Sequence, residues 1–199
     1  MNAAGLKDLY ERKRRAMEKR PAFARSTGQA HVRLCDGFCC DVEEGSWRTR
    51  IDQSVEAGGT GTAPHPAQMM RAAIVACLAM GYGQWAARLD VAIDEVHVDV
   101  LCETDVRGQL GIADVPIGWE RMLIDVCIAS RAPEADVRRV VETADRFSPL
   151  LANLSPAIKR VHRLRIINSG TPKGFPNPPA MLRGEQSSPA PHAIHPKET

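Results

Sequence analysis

The sequence predicts an α+β domain with largely antiparallel strand pairing. Residues 96–103 and 121–130 each alternate apolar and polar positions, as half-buried strands do. Ahead of them lies a helix opening at Pro66 that is apolar nearly all round, and ahead of that a trio of short strand candidates. The order is helix, three strands, long helix, two strands, helix, strand, which is not a βαβ repeat.

Residues 3–20 form a charged helix in which Leu6, Leu9, Tyr10, Lys13 and Met17 fall near one stripe. The strand candidates follow at residues 28–34, 38–42 and 47–52. Asp36 and Gly37 signal a hairpin between the first two, and Glu44 with Gly45 turns the second into the third. Glycines and prolines at 58–66 hold a loop, and Pro66 suits the first turn of a helix of roughly twenty residues. In strand 96–103, Val96, Val98, Val100 and Cys102 share one face. In strand 121–130, Met122, Ile124, Val126 and Ile128 point inward and Asp125 and Cys127 outward. The segment 105–119 joins these two as a long hairpin. Pro133 opens a helix over 134–146 with acids in its first turn, as the macrodipole favours. Ser148 and Pro149 break or restart that helix, and 161–167 is the last strand. Beyond Ser169 seven prolines and little apolar content predict a disordered tail. The organisation expected is a charged helix (1–22), one domain (23–168) and a Pro-rich tail (169–199).

At 199 residues, 44% hydrophobic and 25% charged, the chain can build one real core. A net charge of +2 implies no general polyanion partner, and the basic N-terminal helix lacks a nucleic-acid reading motif. No stretch is long and apolar enough to span a membrane, and residues 1–15 lack the apolar run of a secretory signal. Six cysteines are too sparse for a disulfide scaffold, so reduced thiols in a cytoplasm are expected. His31, Cys35, Cys39 and Cys40 have no second ligand pair, and neighbouring Cys39 and Cys40 point apart on a strand, so no metal and no cofactor is expected. Cys102 reads as core.

Cys77 sits deep in the Pro66 helix, either a small core hydrophobe or a sheltered nucleophile. Positions three and four away are Ala73, Ile74, Met80 and Gly81, and the helix N-terminus is about 16 Å distant. Apolar surroundings disfavour a thiolate, so activation has to come from another segment or another subunit. Arg48 and Arg50, on the strand face opposite Trp47, Thr49 and Ile51, are candidates; solvated surface arginines are the plainer reading. His162 and His65 have no identifiable catalytic partner. The all-round apolar helix calls for cover from a second subunit, which predicts an obligate homodimer.

Gly58 and Gly59, the Pro66 helix start, Ala76-Cys77-Leu78, the helix entering Ser148-Pro149 and the closing strand together resemble the OsmC/Ohr family of osmotically induced and organic hydroperoxide resistance proteins. The resemblance covers about residues 25–168. It implies an intertwined homodimer with curved sheets on long central helices and a reactive thiol near the interface. It implies, too, that Cys77 attacks an organic hydroperoxide, that a second cysteine traps the sulfenic acid, and that a dithiol reductant resets the enzyme. Here Ser148 stands at the second cysteine, Ala67 at the family's glutamate, and Cys35 at its arginine, with Arg33 the nearest candidate. Cys127 is the best remaining substitute for the second thiol. Two functions stay open: a one-cysteine peroxidase with an external thiol, or a non-catalytic dimer binding a hydrophobic small molecule beside Met69, Met70 and Met80. A third, weaker possibility is an interaction module using the N-terminal helix or the tail.

Overall fold

A computed structural model describes residues 3–168; the expected tail lies outside them. The chain runs α1 (Ala3–Lys19), β1 (Ala30–Leu34), β2 (Cys40–Glu44), β3 (Trp47–Ile51), α2 (Pro66–Arg88), β4 (Glu95–Glu103), α3 (Val106–Gln109), β5 (Arg121–Ser130), α4 (Glu134–Arg146), α5 (Pro149–Ala152) and β6 (Lys159–Asn168). The α+β reading holds, with two three-stranded sheets of order β1-β2-β3 and β4-β5-β6.

The first sheet is an antiparallel meander. Its first hairpin forms at the predicted place but with a wider link. Residues 35–39 turn through a short 3-10 segment in which Gly37 and Phe38 both take positive φ, and Cys35 N–H bonds the Cys39 carbonyl. The second hairpin is the tight one: Glu44 pairs Trp47 across Gly45 and Ser46, with Gly45 at φ 58°. One face carries Val32, Leu34, Cys40, Val42, Trp47 and Ile51. Among the described residues this face is largely without cover: Trp47 is 80% exposed and Val32 67%, while Ile51, Cys40 and Val42 are half-buried.

The second sheet holds the core. β4 and β5 pair antiparallel as predicted, but β6 returns parallel to β5. The connection through α4 and α5 is long enough to carry the chain back to the starting end of the sheet, which a tight hairpin cannot do. Ile74, Leu78 and Tyr82 of α2 pack with Met122, Ile124, Val126 and Ile128 of β5 and with Val137, Val140 and Val141 of α4. Each fully buried aliphatic side chain there stabilises the fold by about 1.5–3 kcal/mol. The outward face of β5 is buried as well: Asp125 and Cys127 are each 2% exposed. In register they lie between β4 (Asp99, His97) and β6 (Arg163, Arg165), whose long side chains shelter the central strand, and Arg165 Nε lies 3.3 Å from Asp125 Oδ1.

The helix α2 starts where the sequence said. Pro66 occupies its first turn, His65 Nδ1 accepts the Ala67 N–H at 3.1 Å, and the Gln68 side chain accepts the His65 N–H at 2.7 Å. Only one face of it is buried. Met70, Ala73, Ala76, Met80 and Gly83 form an exposed apolar stripe, Met80 at 60% exposure. The last turns of α2, at Gln84 and Arg88, receive α1, tied by an ion pair between Lys7 and Asp90.

Candidate active site

The loop ahead of α2 is built around one buried carboxylate. Asp52, 1% exposed, accepts from Gln53 N (2.8 Å), Thr60 Oγ1 (2.6 Å), Thr62 N (3.0 Å) and Thr62 Oγ1 (3.2 Å). These donors, the Thr60 hydroxyl first, hold its carboxyl well below the usual carboxylate range. Gly59 is obligatory here, because a Cβ would lie 2.1 Å from the Gln53 carbonyl oxygen. Since the folded pKa lies below the unfolded one, Asp52 stabilises the fold fully above about pH 5, and this is lost as pH falls through and below the unfolded-chain value of about 4. Asp52→Asn is therefore expected to lower the urea midpoint at pH 7 and to lower it by a smaller amount at pH 3, where part of the stabilisation has been lost. Equal deficits at both pH values would refute this role.

Cys77, half-buried, faces the end of α4 and the start of α5. Its Sγ lies 4.0 Å from Ser148 Oγ. Ser148 is held there because it caps α5, accepting the Leu151 N–H at 3.3 Å ahead of Pro149. Both residues open on a cavity of about 540 Å3. Ala73, Met80, Trp85, Phe147, Pro149 and Leu150 make its wall largely apolar. Of the three methionines expected around it, Met80 lines it and Met69 and Met70 do not.

At the far end of the cavity an arginine lies over two aromatic rings. The Arg88 guanidinium lies 3.5 Å from the Tyr10 ring centroid and 4.5 Å from that of Trp85. Trp85 in turn stacks on Phe147 at 5.2 Å. This column draws on three elements, and no sequence spacing announces it. Beneath the cavity the fully buried Tyr82 donates to Asp145 Oδ1 at 2.8 Å, and His162 Nε2 lies 3.5 Å from Asp145 Oδ2. Burial raises the Asp145 pKa, opposed by the Tyr82 hydrogen bond and by His162. His162 thus has a partner that the sequence did not reveal.

The arginine candidates lie elsewhere in the chain. Arg33 and Arg50 both pair with Asp41, at 2.8 and 3.0 Å, and Arg48 pairs with Glu43 at 3.0 Å. All three sit on the polar face of the meander, and none lines the Cys77 cavity. Cys35 is beside them, its Sγ 3.4 Å from Asp41 Oδ2. Cys127 cannot substitute for a second thiol: it is on the sheet face turned away from α2, and burial pushes its thiol up. Cys102 does face the core, where burial pushes its pKa up to about 11. Among the described residues no group of three or more His, Cys, Asp or Glu is placed to hold a metal ion, and no helix is long and apolar enough to cross a membrane.

A model of the family described as OsmC-like protein matches residues 59–162, just over half of the chain. The chain belongs to the OsmC family. Solved structures agree on the OsmC fold. An OsmC-like protein from Mycoplasma pneumoniae superposes with a TM-score of 0.62 at 11% identity, covering 72% of this chain and 99% of that one. The organic hydroperoxide resistance protein OsmC from Legionella pneumophila gives 0.55 at 16% identity, covering 70% and 97%. An organic hydroperoxide resistance protein from Elizabethkingia anophelis gives 0.53 at 15% identity, covering 72% and 97%. No curated protein matches the chain. The OsmC match spans the Gly59 loop, all of α2 with Cys77, and Ser148; α1 and the meander precede it.

Proposed function

We propose that this OsmC-family chain is a thiol-dependent peroxidase for organic hydroperoxides that uses Cys77 alone and works as a homodimer. The observation that carries the reading is a half-buried thiol on the wall of a largely apolar cavity of about 540 Å3, with a hydroxyl 4.0 Å away. An oily peroxide gains by entering such a space, whereas hydrogen peroxide gains little. The Cys77 thiolate attacks the terminal peroxide oxygen; an S–O bond forms, the O–O bond breaks, and the alkoxide takes a proton to leave as an alcohol. Sulfur is oxidised to the sulfenic acid and the peroxide is reduced. Ser148 offers no sulfur to trap it. An external dithiol therefore attacks: one thiol forms a mixed disulfide and releases water, and its second thiol displaces Cys77 as the reductant closes to its own disulfide.

Arg88 is the cavity's one cation among its lining residues, and it lies about 16 Å along the helix from Cys77. It is too far along α2 to pair with the thiolate directly. Activation then has to come from a second copy, with Arg33, Arg48 and Arg50 of its meander as the candidates, one of which has to leave its Asp41 or Glu43 partner to reach the thiolate. The uncovered faces of this chain support such a partner: the apolar side of the meander and the Met70 to Gly83 stripe of α2 each lack cover of their own. The same lack of a cation beside Cys77 within one chain favours the second reading, a non-catalytic dimer that holds a hydrophobic small molecule in this cavity. The deciding measurement is the rate of sulfenic acid formation, read residue by residue by mass spectrometry. Under the proposal Cys77 oxidises first, and faster with cumene hydroperoxide than with hydrogen peroxide. A Cys77 that stays reduced in millimolar organic peroxide while Cys39 or Cys40 oxidises sinks the peroxidase, and a ligand co-purifying with the native protein then supports the second reading.

A further inference from the structure

The Cys77 cavity ends at a charge that has no acidic partner among the described residues. Arg88 and Gln84 line that cavity and also line a neighbouring recess of about 160 Å3, whose other walls are Leu6, Leu9, Tyr10 and Lys13 of α1. The other long cations of that helix face are spoken for: Lys7 pairs with Asp90, and Arg14 with Glu11 and Glu18. Among the described residues neither Arg88 nor Lys13 forms an ion pair. The Arg88 guanidinium lies over both the Tyr10 and the Trp85 rings, which hold it in place. Its N–H groups all lie in the plane of the group, so stacking against rings leaves the donor edge free.

We propose that Arg88, with Lys13 beside it, forms an anion subsite at the end of the Cys77 cavity, and that cavity and subsite together take an apolar chain ending in a carboxylate. A fixed guanidinium fork pairs with a carboxylate through two parallel hydrogen bonds, and the neighbouring rings limit the water that competes for it. Eleven residues are close to three full turns, so Cys77 and Arg88 share one helix face about 16 Å apart. A molecule anchored at Arg88 needs a run of several carbons to present anything to the thiol. Short peroxides cannot touch both groups. The subsite depends on α1, which lies outside residues 59–162 that match the family model. This inference deepens the proposed function by naming the substrate class, yet it does not require Cys77 to react.

The test is calorimetric titration of the full chain with dodecanoate and with uncharged dodecanol, neither of which can oxidise a thiol. The native chain is expected to bind dodecanoate at least about tenfold more tightly, with the preference shrinking as salt is raised. Arg88→Gln is expected to remove the preference while leaving dodecanol affinity within about twofold, and Lys13→Gln to reduce it in part. Equal affinity for the two compounds, binding of neither, or a preference that survives Arg88→Gln overturns the subsite. The comparison on the native chain needs no variant, so it stands if Arg88→Gln fails to fold. Dodecanoate held through Arg88 by a chain whose Cys77 stays inert to peroxide keeps this subsite and removes only the peroxidase; the opposite pattern removes only the subsite.

Discussion

Cys77→Ser is expected to lower turnover of an organic hydroperoxide by roughly three orders of magnitude or more, to the uncatalysed background. Serine is nearly the size of cysteine and sits half-exposed on the cavity wall, so the fold should lose little. The loss is chemical: a hydroxyl at neutral pH is not a nucleophile without a base, and none lines the cavity. The controls are internal. Cys102→Ser and Cys127→Ser should leave the rate within about twofold, since burial pushes both thiols up and keeps the thiolate fraction small. A steady-state assay with an excess of dithiol reads all three variants. Residual turnover in Cys77→Ser that vanishes in one of the others would move the active thiol elsewhere.

The second large effect comes from restoring a sulfur opposite Cys77. In Ser148→Cys the two side chains start from the 4.0 Å separation of the native pair, and rotation about their side-chain bonds has to bring the sulfurs to about 2.0 Å. Peroxide is then expected to yield a disulfide between Cys77 and the introduced thiol in place of a lasting sulfenic acid, with the free-thiol titre falling by two. Closing a loop between positions 71 residues apart adds roughly 4 kcal/mol to the oxidised form in the chain-entropy treatment. Loss of the serine cap on α5 costs about 1 kcal/mol against that. The oxidised variant should thus melt well above the reduced one, and the native chain should show no such dependence on dithiothreitol. If Cys77 in the variant still runs on to sulfinic acid with no disulfide, the two positions do not meet as the native geometry indicates.

The strands β4 and β5 were legible because burial imposes a period, with valines two apart on 96–103, and the helix α4 because Pro133 and the acids of its first turn mark a helix start. Periodicity says nothing of direction, and that is why the parallel return of β6 was not foreseen. It says equally little of what covers a face. The alternation correctly put Arg48 and Arg50 opposite Trp47, but the apolar side is left largely without cover by the described residues. The nearness of Ser148 to Cys77 came from the family pattern; no spacing joins residues 71 apart. The column of Tyr10, Arg88, Trp85 and Phe147 had no signal at all, because its members come from α1, α2 and the turn after α4 and meet only once those are packed.

The bare meander has a bearing on how the polypeptide lives before it is finished. Three short strands with a greasy side open to water and free hydrogen-bonding edges at β1 and β3 are a template for unwanted strand addition. If the proposed second copy is what shields that side, a freshly translated chain competes between correct pairing and clumping, and its survival scales with how many siblings are nearby.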